Sequence, residues 1–112
     1  LWGDILLEAG RLDEAETALR AAVAADPSAG NWNKLGVMLI RAGRLERAEE
    51  ALRQALAADP GAAEPHLRLG ELYEQRGDNS RAAEHYRRYL EVAPADAPYR
   101  GEAQDGLARV SR

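Results

Sequence analysis

Apolar side chains return along this chain at helical intervals, in two alternating kinds of segment. Leu12, Ala15, Leu19, Ala22 and Val23 fall at i, i+3, i+7, i+10 and i+11, and Leu45, Ala48, Leu52, Ala55 and Leu56 repeat that spacing. Residues so placed share one face of an α-helix, while the Glu, Arg and Gln between them share the other. A second stripe, Trp32, Leu35, Gly36 and Leu39, is echoed by His66, Leu69, Gly70 and Tyr73. The pattern predicts a helix A alternating with a helix B, and no strand.

Punctuation fixes the period. Gly10, Gly43 and Gly77 are 33 and 34 residues apart, and so are Pro27, Pro60 and Pro94. The stretch AGRLDEAETALRAAVAADP at 9–27 returns as AGRLERAEEALRQALAADP at 42–60, and more loosely as QRGDNSRAAEHYRRYLEVAPAD at 75–96. Each of these glycines stands between an A and a B segment and is predicted to be a hinge, free to take φ > 0 and close helix A. Asp-Pro at 26–27 and 59–60 is predicted to end helix B, because proline disfavours the helical conformation in the residue before it.

Gly36 and Gly70 lie inside helix A, where glycine costs about 1 kcal/mol relative to alanine. Ala48 and Ala82 follow them at a distance of twelve residues, so a small-against-small crossing of A over B is expected, with Gly3 and Ala15 as the pair of the first unit. Beyond Pro94, the residues Tyr99, Ala103, Leu107 and Val110 make a further stripe with Pro98 at its first turn. Gln104 stands where earlier units have Gly36 and Gly70, and Glu102, Asp105, Arg109 and Arg112 occupy the other face. This segment is predicted to be a polar capping helix.

The motif W-x-x-L-G-x-x-L from Trp32 to Leu39, followed by Gly43, Ala48, Leu52, Ala55 and Pro60, resembles the tetratricopeptide repeat, a helix-turn-helix unit of about 34 residues. Leu69, Gly70, Tyr73, Gly77, Ala82, Tyr86 and Pro94 fit the same pattern, with His66 in place of the usual bulky first residue. The resemblance covers residues 1–96, and the first unit begins midway through its helix A. It implies an all-α, right-handed α-solenoid of about three helix-turn-helix units. A partial repeat would occupy 1–28, full repeats 29–62 and 63–96, and the capping helix 97–112.

Composition then narrows the chemistry. A chain of 112 residues is one domain by length. Lys and Arg number 15 against 19 Asp and Glu, a net charge of -4, so no nucleic-acid partner is expected. The absence of cysteine excludes disulfides, thiolate metal sites and a cysteine nucleophile, and suits cytoplasm and periplasm alike. No run of about 18 apolar residues predicts a membrane span. His66 and His85 sit in different segments without the spacing of a helical metal pair, so no metal or cofactor is expected. Ser28, Ser80 and Ser111 stand at helix boundaries as caps, and no catalytic residue is assigned.

One run breaks the simple stripe. Val37-Met38-Leu39-Ile40 sweeps roughly 300° around a helix and cannot face one neighbour, so helix A has a second, partly apolar face. The family resemblance implies that this face lines a concave groove holding partner peptides, and that the chain is a non-catalytic interaction scaffold. Carried over position by position, the groove comprises Asp4, Leu7 and Glu8, then Asn33, Val37, Ile40 and Arg41, then Glu64, Leu67, Arg68, Glu71, Glu74 and Gln75. Five acids against two arginines around Leu7, Val37, Ile40 and Leu67 lead us to expect a protein or peptide with basic residues around an apolar centre. Arg68 falls at one position of the family's chaperone-tail clamp, but Asp4 and Glu64 stand where Asn and Lys are expected and would repel a C-terminal carboxylate. Two other roles compete: an accessory substrate-positioning domain of a larger bacterial enzyme, and self-assembly through the N-terminal end, with Trp2 and Ile5 as contacts.

Overall fold

A computed structural model describes residues 2–111, with side-chain placement from Gly10 onward. Among the described residues it contains six helices and no strand: α1 Trp2–Ala25, α2 Ala29–Arg41, α3 Leu45–Ala58, α4 Glu64–Gln75, α5 Asn79–Val92 and α6 Arg100–Val110. Each helix packs on the next, and α2, α4 and α6 also touch one another in a row, with α3 and α5 wedged between them. This is the all-α solenoid that the stripes predict.

The predicted stripes make its core. Leu35, Leu39, Ala48, Leu52, Leu69, Tyr73 and Tyr86 are no more than 2% exposed. The boundaries follow the punctuation: α1 stops before Asp26-Pro27 and α3 before Asp59-Pro60. Ser28 Oγ accepts from the Asn31 N–H at 3.3 Å and caps α2. At α5 the cap is Asp78, which accepts from the Arg81 N–H at 3.2 Å, rather than Ser80. Gly43 and Gly77 have φ of 77° and 81°, and the next residues' N–H groups reach back to Leu39 O and Tyr73 O at 2.9 Å. A left-handed glycine with such a return bond satisfies the last carbonyls of a helix.

Three expectations are corrected. Gly10 is not a hinge, for α1 runs through it from Trp2 to Ala25, and the positive-φ glycines among the described residues are Gly43 and Gly77 alone. The helix-B partners of Gly36 and Gly70 are not small. A Cβ on Gly36 would lie 2.6 Å from Leu52 Cγ, and one on Gly70 would lie 2.8 Å from Tyr86 Cε1, so each glycine makes room for a large side chain one turn beyond the predicted alanine. Finally, the capping helix does have a close crossing, at Gly106 rather than at position 104. A Cβ there would come within 2.5 Å of Tyr86 Cζ, so the Tyr86 ring is held between glycines of α4 and α6. Pro98 lies ahead of α6, with Tyr99 at its N-cap.

Candidate functional site

A groove of about 470 Å³ opens between α1, α2 and α4. Leu12 and Leu19 of α1 and Val37 and Met38 of α2 form its floor. Asn33, Lys34 and Arg41 of α2 and Glu64 and Arg68 of α4 form its rim. The floor exists because the stripe of α1 lacks a cover. In the next unit the stripe residue Leu52 is fully buried under α2, whereas Leu19, at the same place in the period, is only partly buried.

The rim is polar and partly interlocked. Asn33 is 8% exposed, and its Nδ2 donates to Glu64 Oε2. That bond fixes the amide's orientation, since a carboxylate only accepts. Its buried Oδ1 has no hydrogen-bond partner among the described residues. Arg68 Nη1 donates to Glu71 Oε1 at 3.1 Å, and its guanidinium lies 5.0 Å from the Tyr99 ring centre. Burial raises the Glu71 pKa against the opposing pull of Arg68. Lys34 and Arg41 stand exposed.

A second groove, about 410 Å³, is lined by Glu71, Glu74, Gln75 and Arg109. Glu74 accepts from Arg109 Nε at 2.8 Å and from the Tyr86 hydroxyl at 2.7 Å. The Arg109 bond is the largest influence on Glu74 and, with Tyr86, holds its pKa below the usual carboxylate value against burial. Burial and the bond to Glu74 push the Tyr86 hydroxyl upward.

The sequence-assigned residues divide between these places. Asn33, Val37, Arg41, Glu64 and Arg68 meet in the first groove, and Glu71, Glu74 and Gln75 in the second. Ile40 and Leu67 do not line either. They are 9% and 0% exposed and belong to the hydrophobic core, because residues one apart on a helix point about 100° apart and Arg41 and Arg68 take the groove-facing directions. Asp4, Leu7 and Glu8, like Trp2 and Ile5, lie outside the described side chains. Sequence reasoning missed Leu12, Leu19, Lys34, Met38 and Arg109. The leucines were hidden because their stripe spacing assigns them to a core under a folded-back helix A.

Three clusters lie apart from the grooves. Glu16, 7% exposed, accepts from Arg20 Nε at 2.8 Å and from Arg44, with Arg47 at 3.5 Å, tying α1 to the start of α3. Glu49 repeats the arrangement 33 residues on, with Arg53 at 3.0 Å, Arg76 at 3.3 Å and the Tyr73 hydroxyl. His66 and His85, separated in sequence, are brought together by α4 and α5 with their Nδ1 atoms 3.2 Å apart, and burial pushes both pKa values down. Among the described residues no three His, Cys, Asp or Glu side chains converge as metal ligands.

A family model described as the tetratricopeptide repeat matches residues 1–63 and 33–98. The chain belongs to the tetratricopeptide repeat (TPR) family. Among solved structures, the thermophilic TPR protein TTC0263 of Thermus thermophilus is 31% identical with a TM-score of 0.77, covering 88% of this chain and 51% of its own. This chain thus spans about half of that TPR protein. The first TPR of Spaghetti (RPAP3), bound to the HSP90 peptide SRMEEVD, is 23% identical with a TM-score of 0.80, covering 97% of this chain and 84% of its own. The second TPR domain of human RPAP3, in complex with the HSP70 peptide SGPTIEEVD, is 19% identical with a TM-score of 0.78, covering 98% and 89%. These last two likenesses show a shared fold. No curated protein matches the chain.

Proposed function

We propose that this TPR domain is a non-catalytic interaction module that holds a partner segment in the groove between α1, α2 and α4. The observation that carries this reading is the make-up of the groove: four apolar side chains on the floor, and on the rim the exposed cations Lys34 and Arg41, beside an Arg68 that is paired with Glu71 and Glu64. A concave surface floored by Leu, Val and Met gains free energy by burying apolar side chains. The charge of its rim selects what flanks them. A rim of this charge favours an acidic partner over the basic one expected from the sequence. Of the acids counted there, Glu71 is engaged by Arg68, and Glu74 by Arg109 and Tyr86. The proposed partner is therefore a segment with apolar residues and carboxylates among them. The acidic peptides held by the two RPAP3 domains are in keeping with that chemistry.

A peptide-display selection against the whole chain tests this reading. Enriched peptides should combine apolar residues with Asp or Glu, and their binding should weaken with salt, since rim charges are screened over about 10 Å at 0.1 M ionic strength. Val37→Asp, at a partly exposed position that leaves the core intact, should weaken binding about tenfold or more by placing a charge on the floor. Enrichment of basic peptides, or binding indifferent to Val37→Asp, would overturn the assignment.

A further inference from the structure

The chain carries in its own first turns a segment that meets the description of that partner. Residues 2–9 read Trp-Gly-Asp-Ile-Leu-Leu-Glu-Ala, five apolar side chains with the two carboxylates Asp4 and Glu8. By the 33-residue period, Trp2, Gly3 and Leu6 answer to Leu35, Gly36 and Leu39, the face of α2 that covers α3. In that second unit Gly36 lies directly against Leu52, and in the third Gly70 lies against Tyr86. The residue answering to Leu52 is Leu19. Its own residues 2–9 cannot reach it, because α1 runs unbroken from Trp2 to Ala25 and carries them away along the helix axis. Leu12 and Leu19 are left as the floor of the groove. A seat for a helix A is present, and the segment that matches it points elsewhere.

We propose that this seat is filled by residues 2–9 of a second copy of the chain, in a reciprocal exchange that forms a dimer. The inference rests on reading the groove as a binding site. In the dimer the two α1 helices run antiparallel and cross at Gly10, where a side chain would meet nothing within 4 Å and the backbones are free to approach. Each N-terminal segment then covers the other copy's Leu12 and Leu19. The two carboxylates of the incoming segment are matched by the two exposed rim cations, Lys34 and Arg41. The contact is twofold symmetric and closes on itself, as exchanged elements do. It recovers between chains the A-on-B packing that the later units make within one chain, without a left-handed turn at Gly10.

The chain has no cysteine, so an introduced pair reports one contact alone. Light scattering on the unaltered chain should give the mass of a dimer that dissociates on dilution. Oxidised Gly3→Cys/Leu19→Cys should run as a covalent dimer on a non-reducing gel. Leu19→Asp should shift the mass to that of a monomer without loss of helical circular dichroism, because Leu19 is only partly buried within its own chain. A cross-linked monomer would mean that the segment folds back onto its own helix, and would overturn the proposal. So would a dimer that Leu19→Asp leaves intact. A chain that is monomeric at every concentration yet binds the display-selected peptides would overturn the exchange while leaving the groove reading standing.

Discussion

Residues 9–16 and 42–49 are almost the same peptide, AGRLDEAE and AGRLERAE, and they fold differently. At the second, Gly43 takes φ 77°, and the N–H groups of Gly43 and Arg44 return to Ile40 O and Leu39 O, closing α2 before α3 begins. At the first, the helix continues straight through Gly10. The local residues permit both outcomes, so packing decides between them. Ahead of Gly43 stand the thirteen residues of α2, whose Leu35, Gly36 and Leu39 are buried, with Gly36 against Leu52. An interior glycine costs a helix about 1 kcal/mol, and a break leaves end groups to be satisfied again. At Gly43 the burial of helix A against α3 offsets the cost of the turn. The hinge is a property of the hairpin rather than of the glycine.

Substitutions at the crossing that makes the turn should have the largest effects. Leu52→Ala should cost about 2 to 5 kcal/mol as a buried large-to-small change, read from urea denaturation. Leu19→Ala, its counterpart in α1, should cost less, about 1 to 2 kcal/mol at concentrations where the chain is monomeric, since Leu19 is only partly buried there. Equal losses would mean that the two regions are equally packed and that the comparison fails. Gly36→Ala comes next. Its new Cβ would lie 2.6 Å from Leu52, so overpacking of about 1 to 3 kcal/mol should outweigh the gain in helix propensity.

These same positions show how far the sequence could be read. The helix stripes, the Asp-Pro stops and the Gly43 and Gly77 turns were legible, because each is a local pattern with one physical outcome. The straight path through Gly10 was not, since the same residues at Gly43 give a turn. Nor was the partner of Gly36, because spacing alone cannot say whether the residue on the facing helix is Ala48 or Leu52. In the groove, Asn33, Val37, Arg41, Glu64 and Arg68 could be placed from the second face of helix A. Leu12 and Leu19 could not, because their exposure follows from the missing cover on α1. Arg109 is 35 residues beyond Glu74, and no short-range pattern joins them.

The two glycines themselves should respond with opposite signs. Gly43→Ala should destabilise by about 1 to 2 kcal/mol, because a β-carbon disfavours the left-handed backbone held there. At concentrations where the chain is monomeric, Gly10→Ala should stabilise by up to about 1 kcal/mol, because alanine is the better residue inside a straight helix with open space around it. Thermal denaturation of the two variants against the unaltered chain reads both signs. A loss at Gly10 as well would mean that the first unit closes its hairpin in solution.

The smallest effect concerns the carboxylates that recur with the period. Glu16 ties α1 to α3, and Glu49 ties α3 to α4. Burial works to raise the Glu49 pKa, but the Tyr73 hydroxyl, Arg53 and Arg76 outweigh it and bring it down to about 2. For Glu16 the Arg20 bond is the largest influence and, with Arg44, lowers the pKa against burial. A carboxylate whose folded pKa is depressed contributes fully above its ordinary value, here 4.5, and loses that contribution as the pH falls toward the folded value. The unaltered chain should therefore lose urea resistance between about pH 5 and pH 2, with pH as the only variable. Glu49→Gln should flatten that loss, at a cost of about 1 kcal/mol or less at pH 7, because its arginine partners are partly exposed. Glu16→Gln should flatten it less, since no tyrosine hydroxyl joins its cluster. If the order were reversed, α1 would be tied to the solenoid more firmly than α3 is tied to α4. The contrast between a loosely held first unit and tightly closed later ones would then be lost.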